Sequence, residues 1–253
     1  MKKNSNSLPR RDFIKNASLL SLGLAGKPLL GNSVSVADTI KNIPNHSTLL
    51  FQGDSITDAG RMREWYYPNV ASGMGDGYVY QIVAEILGSS PGKNLKCYNR
   101  GVSGNKVYQL AERWDDDCMN LKPDILSILI GVNDFWHTLT GNYKGTVQTY
   151  ESDFRKLLDR TLKGLPQVKL IILEPFAIKG GSAITDKWYP DFGDYQKAAK
   201  SIASDYKALF IPLQPVFDKA LDVAPVLYWS GDGVHPSIAG AYLMKNAWLE
   251  GYK

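Results

Sequence analysis

The sequence predicts an α/β protein: a three-layer α/β/α sandwich around about five parallel strands. Three observations predict it. Short, nearly continuous apolar runs recur along the chain, as strands buried on both faces require. Stretches of helical periodicity separate them, which is the pattern of a parallel sheet covered by helices. No repeat, low-complexity run or second linker interrupts the alternation, and 253 residues with 44% hydrophobic content suffice for one sizeable core. The strands are expected at 48–52, 95–99, 125–130, 168–174 and 208–213. Helices are expected at 78–88, 106–121, 147–164, 194–207 and 236–249, the last with Pro236 in its first turn. Two connections are longer than the fold needs, 58–77 and 131–146, and long loops in compact domains are usually functional. Gly73, Gly75 and Gly77 lie in the first, but their spacing is not that of a phosphate loop and no strand leads into them.

Composition removes several classes. The 14 Tyr, 8 Phe and 6 Trp need a packed interior, which excludes a disordered chain, and 2 Cys exclude a disulfide scaffold. The formal charge of +4 comes from one end. Residues 1–37 hold six basic side chains against Asp12 alone, leaving 23 basic and 24 acidic groups in 38–253. With no basic stripe in the folded part, nucleic acid is not an expected partner. Cys97 falls in an expected strand and Cys118 near a helix end; two buried thiols are the simpler reading, although export would permit a bridge.

Residues 1–37 read as an export signal and 38–47 as a linker. A basic, polar start precedes an interrupted apolar stretch, 17–31, too short to span a bilayer. Pro9-Arg10-Arg11-Asp12-Phe13-Ile14-Lys15 resembles the twin-arginine export motif, departing from it only in Ile14 for Leu. Ser35-Val36-Ala37 offers a cleavage step before Asp38; retention as an anchor is the alternative, and a basic tail with a chance arginine pair is the plain one. The resemblance implies a periplasmic or extracellular protein whose membrane contact is the signal alone.

Chemistry-bearing residues gather after the expected strands. Gly53-Asp54-Ser55-Ile56-Thr57-Asp58 follows the first, Asn99-Arg100-Gly101 the second and Gly131-Val132-Asn133-Asp134 the third. Asp232-Gly233-Val234-His235-Pro236 precedes the last helix. In an open parallel sheet the ligand crevice lies outside the carboxyl ends of the strands. A serine hydroxyl is a weak nucleophile and needs a base. His235 can be that base, with Asp232 orienting it three residues away. The Ser55 and Gly101 N–H groups and the Asn133 amide can hold an oxyanion. Each has an ordinary alternative: a cap, a tight turn, a surface histidine. Their order at strand ends favours the chemistry. A zinc site from His46, His137 and His235 lacks ligand-like spacing.

These blocks resemble the SGNH (GDSL-like) hydrolases over about 48–250. Gly53-Asp54-Ser55, Gly101, Gly131-Val132-Asn133-Asp134 and the Asp232-x-x-His235 ending each match one block. The resemblance implies a flavodoxin-like fold and ester hydrolysis through an acyl-serine, without metal or cofactor. It makes Ser55 nucleophile and oxyanion donor, Gly101 and Asn133 the other donors, His235 base and Asp232 its orienter. The absence of a G-x-S-x-G elbow disfavours the larger α/β-hydrolase family. The longer form through Asp54 to Arg61, the Trp136-His137 pair and Glu174-Pro175-Phe176 look like members acting on acetylated plant polysaccharides. Asp54, Arg61, Trp136, His137 and Glu174, with Trp229 among the loop aromatics, are candidate substrate contacts; for His137 a histidine that packs the helix or loop is an equal alternative. Aromatic residues in the loops can stack on sugar rings. The expected partner is an acylated carbohydrate or other small ester, O-acetyl first. A lysophospholipase or thioesterase would use the same residues but needs an apolar acyl channel, which the polar 58–77 loop does not suggest. A non-catalytic carbohydrate binder should have lost one of Ser55, Asn133, Asp232 or His235.

Overall fold

The computed structural model describes residues 42–252; the expected export signal and its cleavage step lie outside them. Strands β1 (Thr48–Gly53), β2 (Lys96–Asn99), β3 (Ile125–Leu129), β4 (Lys169–Leu173) and β5 (Leu209–Ile211) form one sheet in the order β2-β1-β3-β4-β5. Every pairing is parallel. Order 2-1-3-4-5 is that of flavodoxin-like folds, with a switch point beside β1 where the chain turns to opposite sides of the sheet. β3 is buried at every position and β1 at all but its first. That is why they read as continuous apolar runs.

The helices in chain order are α1 (Ser55–Asp58), α2 (Ala71–Met74), α3 (Tyr78–Ser89), α4 (Val107–Glu112), α5 (Trp114–Asp117) and α6 (Val132–Leu139). They continue with α7 (Val147–Gly164), α8 (Phe192–Asp205), α9 (Gln214–Ala220), α10 (Val226–Trp229) and α11 (Ile238–Gly251). One layer is built on the contact of α3 with α11, the other on that of α7 with α4 and α8. Phe51 meets Tyr78 of α3 edge-on and packs on Trp248 of α11. Buried indole N–H groups need acceptors. Trp248 finds Ser127 Oγ at 3.1 Å and Trp114 finds Thr161 Oγ1 at 2.9 Å.

Several expected boundaries move. The segment 131–146 is not a loop throughout: α6 begins at Val132, so Asn133, Trp136 and His137 share a helix. The expected helix 106–121 breaks at Arg113, whose guanidinium is drawn to Gln52 Oε1, the Arg100 carbonyl and Asp117. The last helix starts at Ile238 instead of Pro236, capped by Ser237 Oγ, which accepts from Gly240 N. Residues 42–47 are docked and not a free linker: Ile43 is fully buried and His46 N donates to the Lys93 carbonyl. Cys97 and Cys118 are buried free thiols, whose pKa values burial pushes up to about 12.

Candidate active site

Ser55 opens α1 directly beyond β1. The helix is capped by its neighbour: Asp54 Oδ1 accepts from Ile56 N at 3.0 Å. The Ser55 hydroxyl is thereby free for another partner, and its N–H, at the first helical position, has no intrahelical acceptor. His235 arrives from a turn closed by a bridge between Ser230 and Pro236 and by Ser237 N donating to the Trp229 carbonyl at 2.8 Å. Within it Asp232 Oδ1 accepts from Val234 N and His235 N at 2.8 and 2.7 Å, and Oδ2 lies 2.6 Å from His235 Nδ1. An ionised carboxylate only accepts, so Nδ1 carries the ring proton and Nε2 is the acceptor. Ser55 Oγ sits 2.8 Å from that Nε2 and donates to it. Residues 180 positions apart thus complete a Ser–His–Asp chain. Burial acts to raise the Asp232 pKa, but the His235 side chain and the turn's N–H groups outweigh it and hold it below the usual carboxylate value.

Two groups that hold this turn carry no strong sequence signal. Ser230 Oγ donates to the His235 carbonyl at 2.8 Å and accepts from Gly233 N. The 178–183 segment clasps the turn from outside, through Ile178 N to the Gly233 carbonyl and Ala183 N to the Asp232 carbonyl. Gly181 permits that approach, since a Cβ there would overlap the Asp232–Gly233 backbone. Only a chance glycine in a Gly-Gly-Ser stretch hinted at it.

The expected oxyanion donors come from the ends of β1, β2 and β3. Gly101 packs against α1 so closely that a Cβ would overlap the Asp58 backbone nitrogen. Its N–H is engaged by Asn99 Oδ1 at 2.9 Å, so it can serve an oxyanion only as a shared donor. Asn133 Nδ2 gives one hydrogen to the Asn105 carbonyl at 3.2 Å and keeps the other. Asn99, which sequence reasoning left without a role, also donates to the Thr57 and Met74 carbonyls and ties α1, α2 and β2 together.

The expected substrate contacts divide. Trp136 lies at the site, its ring 6.4 Å from that of His235. His137 follows it on the same helix, half-buried, 2.9 Å from Lys106 Nζ. Asp54 is corrected: it is fully buried, with Oδ2 lacking a partner, and out of reach of a ligand. Arg61 is corrected too; it lies behind the Gly101 peptide, 7% exposed, with Nε donating to the Gly101 carbonyl at 2.8 Å. Glu174 Oε2 accepts from Gln214 N and caps α9. Trp229 is a scaffold residue whose Nε1 donates to the Ala220 and Ala224 carbonyls. Trp188 is 1% exposed and packs on Phe135 and Trp136.

Burial pushes the Asp54 carboxyl up to about 7, with the Asp134 charge adding to it, and pushes Asp134 up to about 7 as well. A carboxyl whose folded pKa exceeds its unfolded value lowers stability as pH rises between the two, from about 4 to about 7. Asp54→Asn keeps the acceptor for Ile56 N and cannot ionise. Its stability relative to wild type should therefore increase between pH 4 and pH 8, by on the order of a few kcal/mol. Urea unfolding at the two pH values measures this; an offset that does not change with pH would contradict it.

A cavity of about 330 Å³ opens beside Ser55 and His235, walled by Ile56, Ala59, Tyr78, Ile238 and Ala241. Through Ser237 and Ile238 it adjoins an open groove of about 870 Å³ bounded by Tyr228, Trp229, Tyr242 and Leu243. Apolar side chains therefore lie beside the nucleophile, although Asp76 and Gly77 of the 58–77 loop and Ser237 line the same cavity.

The fold and this constellation define a class, and comparison with known proteins gives its family. A family model described as GDSL-like lipase/acylhydrolase matches residues 51–243, and the chain belongs to that family. It is a carboxylic ester hydrolase. An acetylxylan esterase from Geobacillus stearothermophilus is 34% identical over 203 residues, 79% of this chain and 91% of the relative. Among solved structures, a GDSL-like lipase from Parabacteroides merdae is 49% identical with a TM-score of 0.82, over 83% of this chain and 97% of that one. An acetylxylan esterase structure from G. stearothermophilus aligns at 32% identity and a TM-score of 0.74, over 83% and 95%. Solved catalytic mutants of that esterase replace a serine and a histidine by alanine.

Proposed function

We propose that the chain is an exported serine esterase that removes O-acetyl groups from carbohydrates through an acyl-serine intermediate. The observation that carries the mechanism is the unbroken chain Ser55 Oγ–His235 Nε2–His235 Nδ1–Asp232 Oδ2, at 2.8 and 2.6 Å. Ser55 Oγ attacks the ester carbonyl carbon as its proton passes to His235 Nε2. The oxyanion is met by Ser55 N–H and the free Asn133 hydrogen, with Gly101 N–H shared from Asn99. Collapse breaks the bond to the alcohol oxygen, which takes the proton from His235. Water then attacks the acyl-serine by the same route, releasing the acid and restoring Ser55.

The carbohydrate reading draws support from the acetylxylan esterase relative and from the openness of the site. The His235 side chain is 45% exposed, so a bulky alcohol portion can approach without a channel. A second reading, longer acyl esters as in a lysophospholipase or thioesterase, is favoured by the apolar walls of the cavity beside Ser55. An acyl series on one leaving group separates them. Under the acetylesterase reading kcat/KM falls steeply from acetyl to octanoyl, whereas a fitted acyl pocket would gain about 0.8 kcal/mol per methylene. A flat or rising profile through octanoyl would transfer the assignment to the second reading.

Export rests on the Arg10-Arg11 motif. Replacing both arginines by lysine should leave the protein in the cytoplasm, as cell fractionation would show. Undiminished export of the double variant would rule out twin-arginine recognition.

A further inference from the structure

Lys106 is a buried cation with no carboxylate in ion-pair contact; the one acidic group whose charge acts on it, Asp134, does so through space. The residue is 6% exposed, and none of the ion pairs among the described residues involves it. Desolvating an ammonium is costly unless acceptors replace its water. Those present are Gln109 Oε1 at 3.2 Å and His137 Nδ1 at 2.9 Å, with the ring centroids of Tyr143 and Tyr108 at 5.3 and 5.7 Å. The two tyrosines stack on each other 5.9 Å apart, and the backbone after α6 folds back to place one of them: Tyr143 N donates to the His137 carbonyl.

This arrangement sets the state of His137. An ammonium has three donors and no acceptor, so His137 Nδ1 must offer its lone pair and the ring proton lies on Nε2. Burial, followed by the Lys106 charge, lowers the His137 pKa below its ordinary value, which keeps the ring neutral. On α6, Asn133, Trp136 and His137 are spaced i, i+3 and i+4 and share a face. That face supplies an oxyanion donor and the indole beside His235. A covered ammonium would be wasted on an anionic ligand it cannot touch, whereas a neutral N–H suits a hydroxyl or acetal oxygen.

We propose that His137 is a substrate-positioning residue: its Nε2–H, oriented by the buried Lys106, donates to an oxygen of the sugar that bears the ester. The assignment rests on the carbohydrate reading, and it predicts a preference for sugar esters over esters of featureless alcohols.

The test compares kcat/KM on an acetylated xylooligosaccharide with that on 4-nitrophenyl acetate. In His137→Ala the ratio of the two should fall about ten-fold, the loss of one well-placed hydrogen bond. His137→Gln, which retains an N–H donor, should recover part of it. Imidazole ¹⁵N shifts should show the Nε2–H tautomer in the wild type and a tautomer mixture in Lys106→Met, whose ratio should also fall. If Lys106→Met does not fold, the wild-type tautomer decides that arm alone. An unmoved ratio in folded His137→Ala, or an Nδ1–H tautomer in the wild type, overturns the inference while leaving the esterase reading standing. A wild type that cleaves the nitrophenyl ester but no acetylated oligosaccharide overturns the carbohydrate reading and this inference with it.

Discussion

Ser55→Ala is expected to slow hydrolysis of 4-nitrophenyl acetate by roughly 10⁴-fold or more, with the fold intact. The side-chain partner of the hydroxyl is His235 Nε2, and the oxygen caps no helix. The cap of α1 is supplied by Asp54, so removing the oxygen does not release the helix. The position of the backbone N–H is unchanged, and the remaining rate should reflect the oxyanion donors alone. Stopped assays with matched circular dichroism give the comparison. A serine-directed phosphonate should label the wild type at Ser55, located by peptide mass. A folded variant with near wild-type turnover, or a label on another serine, would remove Ser55 from the nucleophile's role.

The strands were legible because a parallel sheet covered on both faces admits little but apolar side chains, and β1 and β3 obey that strictly. The order of the site was legible for a related reason: at a switch point, the residues just beyond neighbouring strands must converge, wherever they stand in the sequence. What sequence could not supply was direction. Asp54, Arg61 and Trp136 all sit beside site residues, yet only Trp136 faces the cleft. Asp54 turns inward to cap α1 and Arg61 folds back onto the Gly101 carbonyl, whereas α6 carries Trp136 to His235, and sequence spacing alone does not distinguish these directions. Helix α6 was hidden by Gly131, Asn133 and Asp134, which signal a turn. Its formation depends on Phe135 packing against Trp188, Phe192 and Tyr195, partners more than 50 positions away. Gly181 was hidden similarly, because its role is a backbone approach to a turn far along the chain.

His235→Ala should cost nearly as much as Ser55→Ala, and the double variant little more than either, because base and nucleophile act as a unit. Asp232 is the more informative position, since it does two things at once. Oδ1 holds the turn through two N–H groups, and Oδ2 fixes the proton on His235 Nδ1. Asp232→Ala loses both, but with the Asp232 side chain 30% exposed, water can enter and accept from Nδ1. Asp232→Asn keeps the turn's acceptor while placing an N–H donor against Nδ1. The imidazole must then present its lone pair there and carry its proton on Nε2, where it can no longer accept from Ser55. The isosteric change is therefore expected to be at least as damaging as the truncation, by roughly 10⁴-fold in kcat at neutral pH if the tautomer is decisive. Rates for the two variants on the same acetate ester, beside their urea midpoints, distinguish the roles. Asp232→Asn should unfold near the wild-type midpoint and be nearly inactive, and Asp232→Ala should be the less stable of the two. An asparagine variant with most of its activity would mean that His235 is not held by its Nδ1 proton, and that the carboxylate serves the turn alone.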